Sequence, residues 1–137
     1  VVLVGTGAAT VARSTDDGAT WSAAAAGLPA GTNAVSIAFD PGSPNDVYTV
    51  VGVPPAEGAI CCTGADYALY VSSDGGAHWK SAGLSLPAKV AWWDLQIVPV
   101  PGRPGSVLVR AGDEALHPVG HRRRGGDGAR GRHQFAQ

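Results

Sequence analysis

Ser14-Thr15-Asp16-Asp17-Gly18-Ala19-Thr20-Trp21 returns 58 residues later as Ser72-Ser73-Asp74-Gly75-Gly76-Ala77-His78-Trp79. Both octets read Ser-x-Asp-x-Gly-Ala-x-Trp. An Asp in a tight turn accepts hydrogen bonds from backbone N–H groups just after it and holds the turn shut. A Gly two residues later supplies the positive φ that a hairpin tip needs. The preceding residues, Thr10-Val11-Ala12-Arg13 and Tyr67-Ala68-Leu69-Tyr70-Val71, are strand-like. Trp leads the return strand and can cover the turn with a large apolar ring. Each octet is therefore expected to be a hairpin with a self-bonded tip and an aromatic lid.

Working outward, the chain alternates short strands with Gly/Pro turns. Strands are expected at residues 2–6, 9–14 and 20–24, then at 34–39 and 47–53. Further strands are expected at 67–71, 77–81, 90–98 and 107–110. A second repeat lies between the octets and beyond them. Pro41-Gly42-Ser43-Pro44-Asn45-Asp46-Val47-Tyr48 aligns without gaps on Pro101-Gly102-Arg103-Pro104-Gly105-Ser106-Val107-Leu108, at an offset of 60 residues. Val2-Leu3-Val4 matches Val107-Leu108-Val109. A period of this size with about four strands per unit indicates propeller blades. The expected fold is all-β: a β-propeller fragment of four-stranded antiparallel blades with the octets as hairpins. Residues 1–29 would be a partial blade (strands two to four), 30–87 a complete blade and 88–116 the start of a third. A small two-sheet β-sandwich is the architectural alternative.

Ser-x-Asp-x-Gly-x-x-Trp resembles the Asp-box, or BNR repeat, of sialidase-like and related propellers, including repeat proteins similar to the WD40 and YVTN groups. The resemblance implies that each box joins the third and fourth strands of a blade on the outer rim, away from the central site. Ser14, Asp16, Gly18 and Trp21, with Ser72, Asp74, Gly76 and Trp79, would then be structural rather than catalytic. Sialidase-like enzymes in the family use three arginines, a Tyr–Glu nucleophile pair and an Asp acid/base. None of these can be placed here: Arg13 belongs beside the box, Arg103 in a turn, and Tyr48, Tyr67 and Tyr70 have no matching Glu. The catalytic motif of the family's xyloglucan-cleaving members is not recognisable either. The resemblance also favours an exported or envelope-associated protein.

Composition sets the remaining bounds. The chain has 137 residues, 15% charged side chains and a formal net charge of −1, a balance that gives no general affinity for polyanions. No apolar run reaches the length of a membrane-spanning helix. The start at Val1-Val2-Leu3-Val4 reads as the middle of a strand, so residues are expected to precede it. Cys61 and Cys62 are adjacent, a poor geometry for a mutual disulfide. They read as small loop residues, a vicinal redox pair or thiolate site being the alternative. From His117 onward the pattern breaks into Arg122-Arg123-Arg124, Arg130 and Arg132 among glycines, with His117, His121 and His133. Residues 117–137 are read as a disordered basic tail or, preferably, as the product of a reading-frame shift where a third octet should start, near Val119. A nucleic-acid-binding tail is the weaker alternative, since aromatics are scarce.

A search for chemistry leaves little. Outside the octets and the tail the carboxylates are Asp40, Asp46, Glu57, Asp66, Asp94, Asp113 and Glu114. Asp40 and Asp46 belong to a turn. Trp92-Trp93-Asp94, expected on the first strand of a blade near the channel mouth, and Arg110 are the candidates for binding a ligand such as a sugar. A packing role for the Trp pair is the competing reading. No metal site, cofactor or phosphate loop is expected. The leading functional expectation is a non-catalytic repeat segment, a scaffold or a carbohydrate- or protein-recognition module whose partners include the remaining blades. The alternative is a piece of a propeller glycoside hydrolase whose catalytic residues lie outside this chain.

Overall fold

A computed structural model describes residues 1–7, 10–53, 66–86, 91–112 and 114–120, the last as backbone. Cys61, Cys62, Glu57, Asp113 and residues 121–137 lie outside the described residues. The described chain is all-β, with ten strands and one 3-10 turn. The strands are β1 (Val2–Thr6), β2 (Thr10–Ser14), β3 (Ser22–Ala23), β4 (Asn33–Asp40) and β5 (Ser43–Gly52). They continue as β6 (Tyr67–Ser72), β7 (Lys80–Leu86), β8 (Leu95–Pro99), β9 (Ser106–Ala111) and β10 (Glu114–Gly120). They form three open antiparallel meanders: β1-β2-β3, then β4-β5-β6-β7, then β8-β9-β10. Consecutive strands pair throughout, so each sheet is built from local hairpins.

The four-stranded sheet lies between the other two and is buried on both faces. Its β5 shows why. Val47 points toward the first sheet, in a cluster with Val11, Ala24 and Trp79. Tyr48 and Val50 enter the larger cluster with Leu69, Leu95, Ile97, Val107 and Val109 of the middle and third sheets. A strand covered on both faces reads as a continuous run rather than an alternation, as in Val47-Tyr48-Thr49-Val50-Val51, none more than 2% exposed. Burying one such aliphatic side chain contributes roughly 1.5–3 kcal/mol. The third sheet has one apolar face inward, with Leu95, Ile97, Val107, Val109 and Ala111 buried, while Val98 and Leu108 face outward.

Polar contacts tie the sheets at their edges. Thr10 Oγ1 donates to the Thr32 carbonyl at 2.7 Å. The Ile97 N–H donates to Ser36 Oγ at 3.3 Å. Asp40, 3% exposed, accepts from its own turn at Gly42 N, 2.8 Å, and from Gly105 N of the third sheet at 2.7 Å. The two Pro-Gly-x-Pro turns are thus in contact through one buried carboxylate.

Three expectations are corrected. Trp92–Asp94 is not the opening of a strand but a 3-10 turn, because the Asp94 N–H bonds back to the Ala91 carbonyl at 2.9 Å; regular pairing starts at Leu95. The strand after the first octet shrinks to Ser22–Ala23, whereas that after the second extends over Lys80–Leu86, paired along β6 as far as Tyr67↔Leu86. Pairing also carries β10 to Gly120, past Leu116, where the sequence pattern breaks; a register shift lies between Leu116 and Val119.

Candidate functional site

The two octets have matching hydrogen-bond sets. Ser14 Oγ donates to Asp16 Oδ1 at 2.7 Å and accepts from the N–H groups of Asp16 and Gly18 at 3.3 and 2.8 Å. Ser72 Oγ does the same with Asp74 Oδ1, Asp74 N and Gly76 N at 2.8, 3.3 and 2.9 Å. Asp16 Oδ1 accepts the Thr20 N–H at 2.9 Å. Asp74 Oδ1 accepts those of Ala77 and His78 at 3.0 and 2.9 Å. The tip needs two consecutive positive-φ residues, Asp17 and Gly18 in one octet and Gly75 and Gly76 in the other. Of each pair only the glycine two residues after the Asp, Gly18 or Gly76, was expected at positive φ.

The position before Trp also matters. Thr20 Oγ1 donates to Asp16 Oδ2. His78 Nδ1 lies 2.7 Å from Asp74 Oδ2. A side chain there ligates the second carboxylate oxygen in both copies, so a position that looks free in the motif is used. The signal lay in the polar hydrogen-bonding character of both residues.

These bonds fix the protonation of the aspartates. The Thr20 hydroxyl and N–H, with Ser14, lower Asp16 from 3.8 to about 2. Burial pushes Asp74 up, but the backbone and side chain of His78, the Ser72 hydroxyl and the Ala77 N–H outweigh it and hold the carboxyl below the usual range. Both groups are ionised near neutral pH, with no proton to donate and little basicity.

The two tryptophans differ. Trp79 is 3% exposed. Its Nε1 donates to the Ala24 carbonyl at 2.8 Å and its N–H to the Ala26 carbonyl at 2.8 Å, beside a parallel bridge between Ala26 and His78. Gly27 passes so close that any Cβ would collide with the Trp79 carbonyl oxygen. Trp21 is 45% exposed and folds its Nε1 back on the Gly18 carbonyl at 3.0 Å. Arg13 joins the copies, its Nε donating to the Gly75 carbonyl at 2.9 Å. A depression of about 270 Å³ beside the second octet is lined by Val71, Ser73, Asp74, His78 and Lys80.

The ligand candidates lie at one end of the third sheet. Trp93 is 55% exposed and Asp94 is exposed; the Trp92 side chain is outside the described residues. Arg110 is exposed, and its Nε donates to the Gly112 carbonyl at 3.0 Å. The Gly112 N–H donates to the Asp94 carbonyl at 3.3 Å. Gly112 thus brings Asp94 and Arg110 to the same strand ends through its backbone. Tyr48 and Tyr67 are core residues. Burial, then the nearby Asp40 charge, pushes the Tyr48 hydroxyl up to about 12, and burial raises that of Tyr67.

The Asp40 clasp to Gly105 was not read from the sequence, where Asp40 is a turn residue. Its partner is 65 residues away; the only trace was the repeated Pro-Gly-x-Pro turn. Among the described residues no group of three or more His, Cys, Asp or Glu could hold a metal ion, and no helix is long and apolar enough to cross a membrane. No protein-family model and no curated protein matches the chain.

Proposed function

We propose that this chain is a run of Asp-box β-propeller repeats that serves as a scaffold or recognition module rather than as a catalyst. The observation that carries the proposal is the duplicated octet, with one hydrogen-bond pattern in both copies. In this reading Ser14, Asp16, Gly18 and Trp21, and Ser72, Asp74, Gly76 and Trp79, are turn locks. The saturated, strongly ionised carboxylates support it, because they suit neither general-acid nor general-base work. Trp93, Asp94 and Arg110, at the strand ends of the third sheet, are the side chains available to a carbohydrate or protein ligand.

The coding DNA on both sides, read in all three frames, tests the repeat assignment. Further Ser/Thr-x-Asp-x-Gly-x-x-Trp octets are expected at a spacing near that of the first two. Their absence from every frame overturns it. Hydrolysis of sialosides or xyloglucan by the purified chain would overturn the non-catalytic part.

A further inference from the structure

The dipeptide Asp-Gly occurs in both octets but at different places in the turn: Asp17-Gly18 in the first and Asp74-Gly75 in the second. A further copy, Asp127-Gly128, lies outside the described residues. Asp-Gly is a chemically reactive pair, because glycine has no Cβ and its backbone nitrogen can reach the carboxyl of the preceding side chain. Asp74 is the turn lock of its octet. Its Oδ1 accepts from the Ser72 hydroxyl and from the Ala77 and His78 N–H groups, and its Oδ2 meets His78 Nδ1. The nitrogen that would attack it is held as well, the Gly75 N–H donating to the Asn45 carbonyl at 2.9 Å. The same bonds keep the Asp74 carboxyl ionised, the form whose oxygen leaves poorly. Asp17 sits one place later in its octet, where the second copy has Gly75. It is exposed, and none of the turn's hydrogen bonds uses its carboxylate. It also adopts φ +58°, a left-handed conformation that is costly for a residue with a side chain. The Gly18 N–H is bonded to Ser14 Oγ at 2.8 Å, a single contact that must open before the nitrogen can react.

We propose that Asp17-Gly18 is a modification site, converting spontaneously to isoaspartate in the folded chain, while Asp74-Gly75 is protected by its turn. The Gly18 nitrogen bonds to the side-chain carboxyl carbon of Asp17 in its acid form. The nitrogen's proton and the carboxyl's hydroxyl leave as water, giving a succinimide. Water then adds at the main-chain carbonyl carbon of Asp17 and breaks its bond to the Gly18 nitrogen. The chain now runs through the former side chain, and a free α-carboxylate is left at residue 17. Water is lost and regained, so no oxidant, reductant or other reactant is needed. The backbone carbon gained lies beside the Gly18 N–H, so the bond from that group to Ser14 is expected to be lost and the first turn to loosen. The contrast is set within each octet and needs neither the family assignment nor any residue beyond the chain.

The test is ageing of the full chain near neutral pH, folded in buffer and unfolded in urea, followed by peptide mapping. A protease that cleaves before Asp but not before isoaspartate locates the change. Ageing in heavy-oxygen water marks each reacted residue with a heavy oxygen. In urea the two dipeptides should react at similar rates. In buffer Asp17 is expected to react at least about tenfold faster than Asp74, since the reactive acid form becomes scarcer as the pKa is lowered. Asp17→Glu keeps the charge but would have to close a larger ring, and Asp17→Gly supplies the residue that the second octet has there. Both variants should fold, checked by circular dichroism, and lose the signal at residue 17. Equal rates at the two sites in buffer overturn the proposal. So does a folded chain that forms no isoaspartate at Asp17, or a difference between the sites that is as large in urea as in buffer.

Discussion

Trp21 and Trp79 hold the same place in duplicated octets, yet substitution should affect them unequally. Trp79→Ala removes a side chain that is 3% exposed and sits between the first and middle sheets. Truncating a buried Trp costs about 3–5 kcal/mol, part of it here from leaving the Ala24 carbonyl without its indole donor. Trp21→Ala removes a ring that is 45% exposed, whose Nε1 bond is solvent-facing and local. Its cost should be about 1 kcal/mol, the scale of one such bond. With a urea slope of about 2 kcal/mol/M, the midpoint should fall by roughly 2 M for Trp79→Ala and about half a molar for Trp21→Ala. Urea melts followed by far-ultraviolet circular dichroism give both values without depending on the indoles removed. Trp79→Phe keeps most of the ring but deletes the donor, and should cost about 1–3 kcal/mol; it remains measurable if the alanine variant does not fold. Equal midpoint shifts for the two alanine variants would refute the view that Trp79 is an inter-sheet joint and Trp21 only a lid.

Other predictions follow from the same contacts. Asp16 and Asp74 both titrate below their ordinary value in the folded chain, so their contribution to stability is complete above about pH 4. It should be lost as pH falls through about 2 for Asp16, and lower for Asp74; Asp16→Asn should flatten the urea midpoint's pH dependence between 4 and 2. Asp40→Ala leaves Gly42 and Gly105 N–H groups without their charged acceptor and should cost about 2–3 kcal/mol, read in thermal melts; an unchanged melting temperature would deny the clasp. Gly27→Ala should destabilise by more than about 2 kcal/mol, since a positive φ and a collision with Trp79 coincide there. Gly31→Ala, at φ +73° in open space, should cost only about 1 kcal/mol, so similar melts for the two would count against the close approach.

Legibility in the sequence followed the range of the interactions. Hairpins were readable because their determinants are local: alternating apolar residues, then an Asp and a Gly at fixed places in a turn. The all-β class and most strands followed from that. Trp92–Asp94 reads as strand because a β-rich dipeptide sits just before one; in the structure the Asp94 N–H turns back to Ala91, and the Gly112 N–H, from beyond the end of β9, reaches the Asp94 carbonyl. The different lengths of β3 and β7 are likewise tertiary. After Trp21 the chain keeps its sheet as far as Ala24, whose N–H still donates to Val11 while its carbonyl turns to Trp79, whereas the segment after Trp79 continues along β6 to Leu86. No local pattern separates Ser22-Ala23-Ala24 from Lys80-Ser81-Ala82 strongly enough to foresee that.

The site was legible in outline and opaque in function for a related reason. A motif built around Asp suggests acid–base chemistry until its hydrogen bonds are counted. Here both oxygens of each carboxylate are engaged by the turn: Ser14, Thr20 N and Thr20 Oγ1 hold Asp16, while Ser72, Ala77, His78 N and His78 Nδ1 hold Asp74. Replacing Thr20 by His78 changes the chemistry of the ligand but not the oxygen it reaches. A general acid needs a proton to give and a general base needs basicity; the lowered pKa of both aspartates leaves them without the first and with little of the second. The information in the octet is mechanical: it closes a hairpin and aims the Trp. In the second copy that Trp, helped by Arg13 from the first, fastens one sheet to the next. Trp93, Asp94 and Arg110, by contrast, turn outward at one end of the third sheet.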